Sequence, residues 1–154
     1  MLRDRLNAAL KDAMRAKDQR RVSTLRLILA AVKDRDIASR TGESREGVSD
    51  EEILQILSKM IRQRQDSIEA YEKGGRADLA EQEREEIKII EDFQPPQLSE
   101  QDIKKACAEA VDKVEAKGLK DMGRTMAALK ERYAGLMDFS KASAIVKDLL
   151  SSRG

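Results

Sequence analysis

The sequence predicts an all-α fold made of two small helical bundles. Apolar residues recur every three or four positions along most of the 154 residues, which is the spacing of amphipathic helices. Aromatic residues make up only 3% of the chain, with 8 glycines, whereas β-sandwiches and barrels are richer in aromatic and turn residues. The two prolines are adjacent, at Pro95 and Pro96, and stop any helix. We predict an amino-terminal four-helix domain at 1–94, a linker at 95–98 and a carboxyl-terminal three-helix domain at 99–154.

Four helices are predicted before the prolines. They span Leu2–Ala16, about Asp18–Ala38, Asp50 to Lys73, and Asp78 to Phe93. In the first, Leu2, Leu6, Leu10 and Met14 follow one another at four-residue steps. Residues 41–47 break the periodicity, and Ser49 with Glu52 then forms a capping box. The third and fourth helices are predicted to form an antiparallel hairpin, joined at Gly74 and Gly75.

Three helices are predicted after the prolines. Ser99 caps the first of them, which has an acidic first turn and is closed by Gly118. Two shorter helices follow, one carrying Met122 to Tyr133 and the other Ile145 to Leu150. Gly135 separates them, and either Asp138 or Ser140 caps the last one.

The residue types exclude several kinds of catalysis. The chain has no histidine and a single cysteine, Cys107. Ser-His-Asp and Cys-His mechanisms therefore have no base, and a thiolate zinc cage has too few ligands. We interpret Cys107 as a small apolar core residue, and we predict no catalytic residue, no metal site and no cofactor.

The amino terminus and the apolar runs bear on location. The chain begins with charges at Arg3, Asp4 and Arg5, and its longest apolar run is six residues, Leu27 to Val32. A bilayer span needs about 20 apolar residues. With one cysteine and neither a signal peptide nor a membrane segment in view, the sequence predicts a cytoplasmic protein without a membrane partner.

Charge is unevenly distributed, although the net charge is only +1. Residues 1–45 hold 12 basic and 6 acidic groups, residues 46–95 hold 7 and 14, and residues 96–154 hold 11 and 9. One interpretation is that basic and acidic helices neutralise each other by packing together. The other is that the basic residues of the first two helices face a phosphate backbone; they are Arg15, Lys17, Arg20, Arg21 and Arg26.

Several blocks of sequence resemble a known family. Residues 62–69 (RQRQDSIE), 71–79 (YEKGGRADL) and 91–99 (EDFQPPQLS) are similar to successive blocks of the YqeY family, in the same order and spacing. Residues 120–129 (KDMGRTMAAL) and 145–150 (IVKDLL) resemble the tail domain of the B subunit of tRNA-dependent amidotransferase. The resemblance covers essentially the whole chain.

The resemblance implies a YqeY-type bundle followed by a tail module that, in the amidotransferase, contacts tRNA. That enzyme is a carbon–nitrogen ligase that amidates misacylated tRNA with glutamine as amido donor, and this chain has no counterpart of its catalytic core. Shared domains do not imply shared chemistry. The sequence also departs from the tail pattern at Gly135-Leu136-Met137-Asp138, where a basic residue usually follows the glycine.

Two sets of candidate binding residues follow. The candidate nucleic-acid-binding residues are Lys120, Arg124, Lys130, Arg132 and Lys141 in the tail, with Arg20, Arg21 and Arg26 in the second helix. The candidates for a groove between the two domains are Arg62, Arg64 and Arg76, whose guanidinium groups suit a phosphate or carboxylate ligand. Alternatively, Arg64 pairs with a carboxylate of the hairpin such as Glu83 or Glu86.

We therefore predict a tRNA-associated binding protein of this family that lacks the catalytic core. Its predicted partner is tRNA or a tRNA-bound enzyme complex, and not DNA. The alternative is a helical protein–protein adaptor or homodimeric scaffold that uses the hairpin at 50–93 and does not bind RNA. An enzyme acting alone is disfavoured, since no nucleophile with a base, phosphate-binding glycine loop or metal cluster is visible.

Overall fold

The computed structural model describes residues 1–38 and 47–153, and it confirms the all-α prediction. The described residues form seven α-helices and one short 3₁₀ turn, with no strand among them. They divide into two compact units, Met1–Gln94 and Pro95–Gly154. The predicted break at residues 41–47 lies outside the described residues except for Gly47.

The first unit contains four helices close to the predicted ones. They are α1 (Leu2–Ala16), α2 (Gln19–Ala38), α3 (Asp50–Lys73) and α4 (Ala77–Glu91). Their core is built on fully buried aliphatic side chains from all four helices: Leu6, Leu25, Ile28, Ile53, Leu57 and Ile90. Burying each such side chain stabilises the fold by about 1.5–3 kcal/mol.

Helix α1 shows where its simple leucine spacing fails. Leu2 and Leu6 are buried, but Met14 is 51% exposed and Ala13 is buried in its place. A step of four residues advances about 40° beyond a full turn, so a strict four-residue series rotates out of the core. The helix ends at Ala16, and the next residue, Lys17, takes the left-handed conformation with φ 59° without being a glycine.

The predicted hairpin of α3 and α4 is present, with both of its end signals. The Ser49 hydroxyl accepts a hydrogen bond from the Glu52 N–H at 3.2 Å and caps α3. At the other end Gly75 takes φ 72°, and the Arg76 N–H donates to the Tyr71 carbonyl at 2.8 Å. A left-handed residue of this kind is least costly as glycine, because glycine has no Cβ.

The second unit contains α5 (Glu100–Lys113), a 3₁₀ turn (Leu119–Asp121), α6 (Met122–Tyr133) and α7 (Phe139–Ser151). Helix α5 ends five residues before Gly118, so the predicted stop at that glycine is wrong. Glu115 turns the chain with φ 53°, and the Ala116 N–H donates to the Val111 carbonyl at 3.0 Å. Tertiary packing compensates for the non-glycine turn, because Ala116 is buried in the core of this unit.

Cys107 lies in that same core. It is fully buried, and its thiol contacts the Ala142 carbonyl at 3.8 Å. Burial raises the pKa of the thiol, which keeps it protonated and unreactive. Asp138 caps helix α7, and its carboxylate accepts a hydrogen bond from the Ser140 N–H at 2.9 Å.

Candidate nucleic-acid interface

A short turn ahead of α6 positions the basic residues of the second unit. The Asp121 carboxylate accepts a hydrogen bond from the Lys117 N–H at 2.8 Å and another from the Arg124 guanidinium at 3.0 Å. The backbone bond from Lys117 and the bond from Arg124 lower the pKa of Asp121. Thr125 is buried, and its hydroxyl donates to the Asp121 carbonyl at 2.9 Å. This turn fixes where α6 begins.

The candidate basic residues of the tail do not share one face. Lys120 lies in the 3₁₀ turn and Arg124 in the first turn of α6, and both are exposed. Lys130 and Arg132 are two positions apart, about 200° around the helix, and therefore lie on opposite edges of α6. Lys141 is exposed in the first turn of α7. The exposed cations of the tail are thus spread over the 3₁₀ turn, α6 and the first turn of α7.

Between Lys120 and Lys130 the outer side of α6 is built from small residues. Gly123 and Ala127 are exposed there, and a Cβ added at Gly123 would meet nothing within 4 Å. A ligand backbone can therefore approach the surface of α6 closely between these cations. Arg124 is 61% exposed even though it binds Asp121.

A groove runs along the other edge of α6, within the second unit. It encloses about 530 Å³ between α5 and α6, with Ala106, Ala110 and Leu129 among its lining residues. Arg132 stands at its rim, with its guanidinium carbon 5.4 Å from the centre of the Tyr133 ring. This stacking holds Arg132 on the groove side, away from Lys130. The groove could not be predicted from periodicity, because its shape depends on how α5 and α6 pack against each other.

In the first unit, the candidate arginines of α2 are placed differently from one another. The Arg20 guanidinium lies 3.2 Å from the Glu85 carboxylate, and that of Arg21 lies 3.0 Å from Asp92. Arg26 is exposed and makes no ion pair with any described residue. Two of the three candidates therefore neutralise carboxylates at the hairpin, as one of the two charge interpretations expects.

An aromatic contact missed by the sequence analysis joins α1 and α2 to Phe93, two residues after the end of α4. The guanidinium carbons of Arg5 and Arg21 lie 5.6 and 5.7 Å from the centre of the Phe93 ring. Phe93 itself is buried. Cation–π contacts of this kind stabilise by about 0.5–1 kcal/mol at partly exposed sites. The only feature of the sequence that could have indicated this contact is the scarcity of aromatic residues, since the few that are present are good candidates for packing contacts.

The three groove candidates of the first unit are not brought to one place. The Arg64 side chain is only 12% exposed, and its Nε lies 3.0 Å from the Glu86 carboxylate and 4.0 Å from that of Glu83. Arg76 pairs with Asp78 at 3.2 Å at the start of α4, beyond the end of α3. Arg62 lies on α3 two positions before Arg64 and so on another side of the helix. The pairing of Arg64 with the hairpin is the alternative that the sequence left open.

The described residues hold neither a cluster of metal ligands nor a helix suited to a membrane. No group of three or more His, Cys, Asp or Glu side chains in residues 1–38 and 47–153 is arranged to hold a metal ion. Within the same residues, no helix combines the length and the apolar composition needed to cross a bilayer.

The fold and the placement of charge define a helical protein of two units, the second of which carries exposed cations on one helix. The chain belongs to the YqeY family: the family of Yqey-like proteins matches residues 3–150. This confirms the family predicted from the sequence blocks.

The curated relatives are proteins named "Altered inheritance of mitochondria protein 41, mitochondrial". The one from Kluyveromyces lactis is 40% identical over 89 residues, which are 58% of this chain and 46% of the relative. The one from Lachancea thermotolerans is 39% identical over 100 residues, 64% of this chain and 51% of the relative. The one from Saccharomyces cerevisiae strain YJM789 is 35% identical over 114 residues, which are 73% of this chain and 60% of the relative. The chain spans about half the length of the curated relatives it matches.

These names correct one prediction. A cytoplasmic protein was expected from the single cysteine and the charged amino terminus, and this expectation is wrong, since the relatives are named as mitochondrial proteins. A chain with one cysteine and a charged amino terminus is compatible with more than one reducing compartment. These features therefore do not distinguish a cytoplasmic protein from a mitochondrial one.

Proposed function

We propose that the protein binds tRNA through the outer side of α6 and the start of α7, as a binding protein rather than a self-sufficient enzyme. The observation that carries the proposal is the exposure of Lys120, in the turn before α6, and of Arg124, in its first turn, beside a helix surface made open by Gly123 and Ala127. Lys130 and Lys141 add charge at the borders. Phosphate contacts of this kind supply most of the affinity for a nucleic acid backbone.

The resemblance of the tail to that of the amidotransferase B subunit supports RNA as the ligand. The chain offers no stacking platform of exposed aromatic rings, which single-stranded RNA binders use. A structured RNA read through its backbone therefore fits this surface better than an unpaired strand. The missing basic residue after Gly135 removes one cation from the loop before α7, so we assign the contact to α6.

The alternative of a protein–protein adaptor is weakened because many carboxylates of the hairpin already form ion pairs within the chain. Glu85 and Asp92 pair with arginines of α2, Glu86 pairs with Arg64, and Arg84 binds both Glu72 and Glu81. An acidic docking surface needs carboxylates that are free to meet a partner's cations. The hairpin is thus a poorer candidate than α6.

The test is binding of the full chain to bulk tRNA across a salt series, with a single-stranded RNA of similar length as the comparison. The variant Lys120→Glu/Lys130→Glu is compared with Lys104→Glu/Lys105→Glu, which changes the net charge equally at exposed positions of α5. We expect the first variant to bind tRNA at least tenfold more weakly. Its log–log salt slope is expected to fall by about 1.5, since each lost phosphate contact removes about 0.7–0.9.

The control variant should bind like the unmodified protein. Equal losses in both variants would show a non-specific charge effect and would contradict an α6 interface. Binding that is equally weak for tRNA and the unstructured RNA would contradict the function itself.

A further inference from the structure

Leu119 is an apolar side chain that stands exposed in the 3₁₀ turn ahead of α6. Of the described residues in the second unit, it is the only large apolar one left exposed, at 51%. The other leucines of that unit are buried or half-buried. Single exposed leucines are common on protein surfaces, so the surroundings of Leu119 decide whether it has a function.

Hydrogen bonds hold the turn that carries Leu119 on both sides. Before it, the Lys117 N–H donates to the Asp121 carboxylate at 2.8 Å. Across it, the Asp121 N–H donates to the Gly118 carbonyl at 3.0 Å, and the Thr125 hydroxyl donates to the Asp121 carbonyl at 2.9 Å. The turn also packs against α6 and α7. Leu119 is therefore presented by a fixed backbone, and a ligand that contacts it has little conformational entropy to remove.

Cations lie on both sides of Leu119 along the chain. Lys117 and Lys120 are exposed, and neither forms an ion pair within the part of the chain that the structure describes. Residues 117–124 hold three basic groups and one acidic group, which gives this segment a net charge of +2. The acidic one, Asp121, is already bound by Arg124. This arrangement suits a ligand with anionic groups on either side of an accessible apolar face.

An RNA offers such an apolar face only where its bases are not stacked. In a continuous duplex the bases are covered by stacking, and phosphates and riboses form most of the accessible surface. Nucleotides in loops and bulges expose the faces of their bases. Leucine is among the apolar side chains that proteins place against unstacked bases.

We propose that Leu119 packs against an unstacked nucleotide of the bound RNA, while Lys117 and Lys120 contact the phosphates beside it. This inference rests on the proposed function and adds a preference to it. The surface selects a folded RNA that exposes a nucleotide in a loop or bulge over a continuous duplex. Lys117, which was not among the residues singled out in the sequence, becomes part of the interface.

The experiment measures binding of the full chain to bulk tRNA and to a continuous RNA duplex of the same nucleotide number, across a salt series. We expect Leu119→Ser to bind tRNA about fivefold more weakly, because about half of the leucine surface is available for burial. Its log–log salt slope should not change, since a leucine displaces no counterion. Its affinity for the duplex should also stay the same.

Three further variants separate this contact from a general disturbance. Leu119→Met keeps an apolar side chain at the turn and should bind tRNA like the unmodified protein. Leu27→Ser removes a leucine of similar exposure, 50%, from the first unit and should have no effect. Lys117→Gln should lower the salt slope by about 0.7–0.9, in contrast to Leu119→Ser. Melting temperatures of all four variants check that the fold is intact.

The possible failures of this inference and of the proposed function are distinguishable. If Leu119→Ser binds tRNA as tightly as the unmodified protein while Lys120→Glu/Lys130→Glu binds weakly, Leu119 has no role and the proposed function stands. Equal losses for tRNA and duplex would overturn the contact with an unstacked nucleotide. An equal loss in Leu27→Ser would overturn it as well. If the unmodified protein does not bind tRNA, the proposed function fails and this inference fails with it.

Discussion

At the scale of the residue, Thr24 places a buried hydroxyl in the core at a cost in folding free energy. Its side chain is fully buried on α2, and its hydroxyl has no hydrogen-bond partner among the described residues. An unsatisfied buried hydroxyl costs about 1–3 kcal/mol. Periodicity does not reveal this, because a threonine in a helix usually bonds to a carbonyl of the preceding turn.

We expect Thr24→Val to raise the free energy of unfolding by about 1 kcal/mol, because the isosteric methyl group needs no partner. Urea denaturation followed by circular dichroism measures the change. Thr125→Val is the matched comparison, since that hydroxyl does donate to the Asp121 carbonyl. It should lose stability by about 1 kcal/mol, and a loss in both variants would mean that Thr24 has a partner in solution.

A second residue-scale feature is the carboxylate pair beside Arg64. Glu86 binds the arginine, while Glu83 is 21% exposed and more distant. Burial, reinforced by repulsion from Glu86, raises the pKa of Glu83 above its ordinary value of 4.5. A raised carboxyl pKa means that the folded state favours the protonated form, so stability is lost as pH rises through that pKa.

Glu83→Gln is therefore expected to stabilise the protein at pH 7, with the advantage disappearing below about pH 4.5. Glu86→Gln should do the opposite and cost about 2 kcal/mol, because it leaves the guanidinium of Arg64 with a weaker partner. Melting temperatures of both variants between pH 4 and 8 decide this. The explanation fails if the two substitutions have the same sign at pH 7.

At the scale of the element, the turn between α5 and α6 decides where the candidate interface stands. Two residues without glycine's freedom build it: Glu115 in the left-handed region and Asp121 as the hydrogen-bond acceptor. The lowered pKa of Asp121 means that its stabilising effect is present above its ordinary value of 3.8 and lost as pH falls through the lower folded value.

Asp121→Asn should loosen this turn without unfolding the chain. The amide carries no charge for Arg124 and is a weaker acceptor for the Lys117 N–H, so that N–H is expected to exchange with solvent more than tenfold faster. Hydrogen exchange read by NMR checks it at single-residue resolution. Lys141 N–H, which donates to the Asp138 carbonyl, serves as the internal control and should exchange unchanged. An unaltered Lys117 rate would show that the carboxylate does not hold the turn.

At the scale of the whole molecule, the charge asymmetry of the sequence largely cancels within the first unit. Residues 1–94 hold 19 basic and 20 acidic groups, and arginines of α2 pair with Glu85 in α4 and with Asp92 just after it. The second unit holds 11 basic and 9 acidic groups, so the exposed cations of α6 are not matched in the same way. For this reason we assign the proposed RNA interface to the second unit alone, although the sequence offered candidate residues in both α2 and the tail.

The sequence by itself determined the helices, their caps at Ser49 and Ser99, the hairpin turn at Gly75 and the family. These are local properties, fixed by spacing and by hydrogen bonds within a few residues. Only the tertiary structure decided that Arg20, Arg21 and Arg64 are paired, that Lys120 and Arg124 stand exposed, and that α5 ends before Gly118. Those outcomes depend on contacts between residues far apart in the chain, which periodicity does not encode.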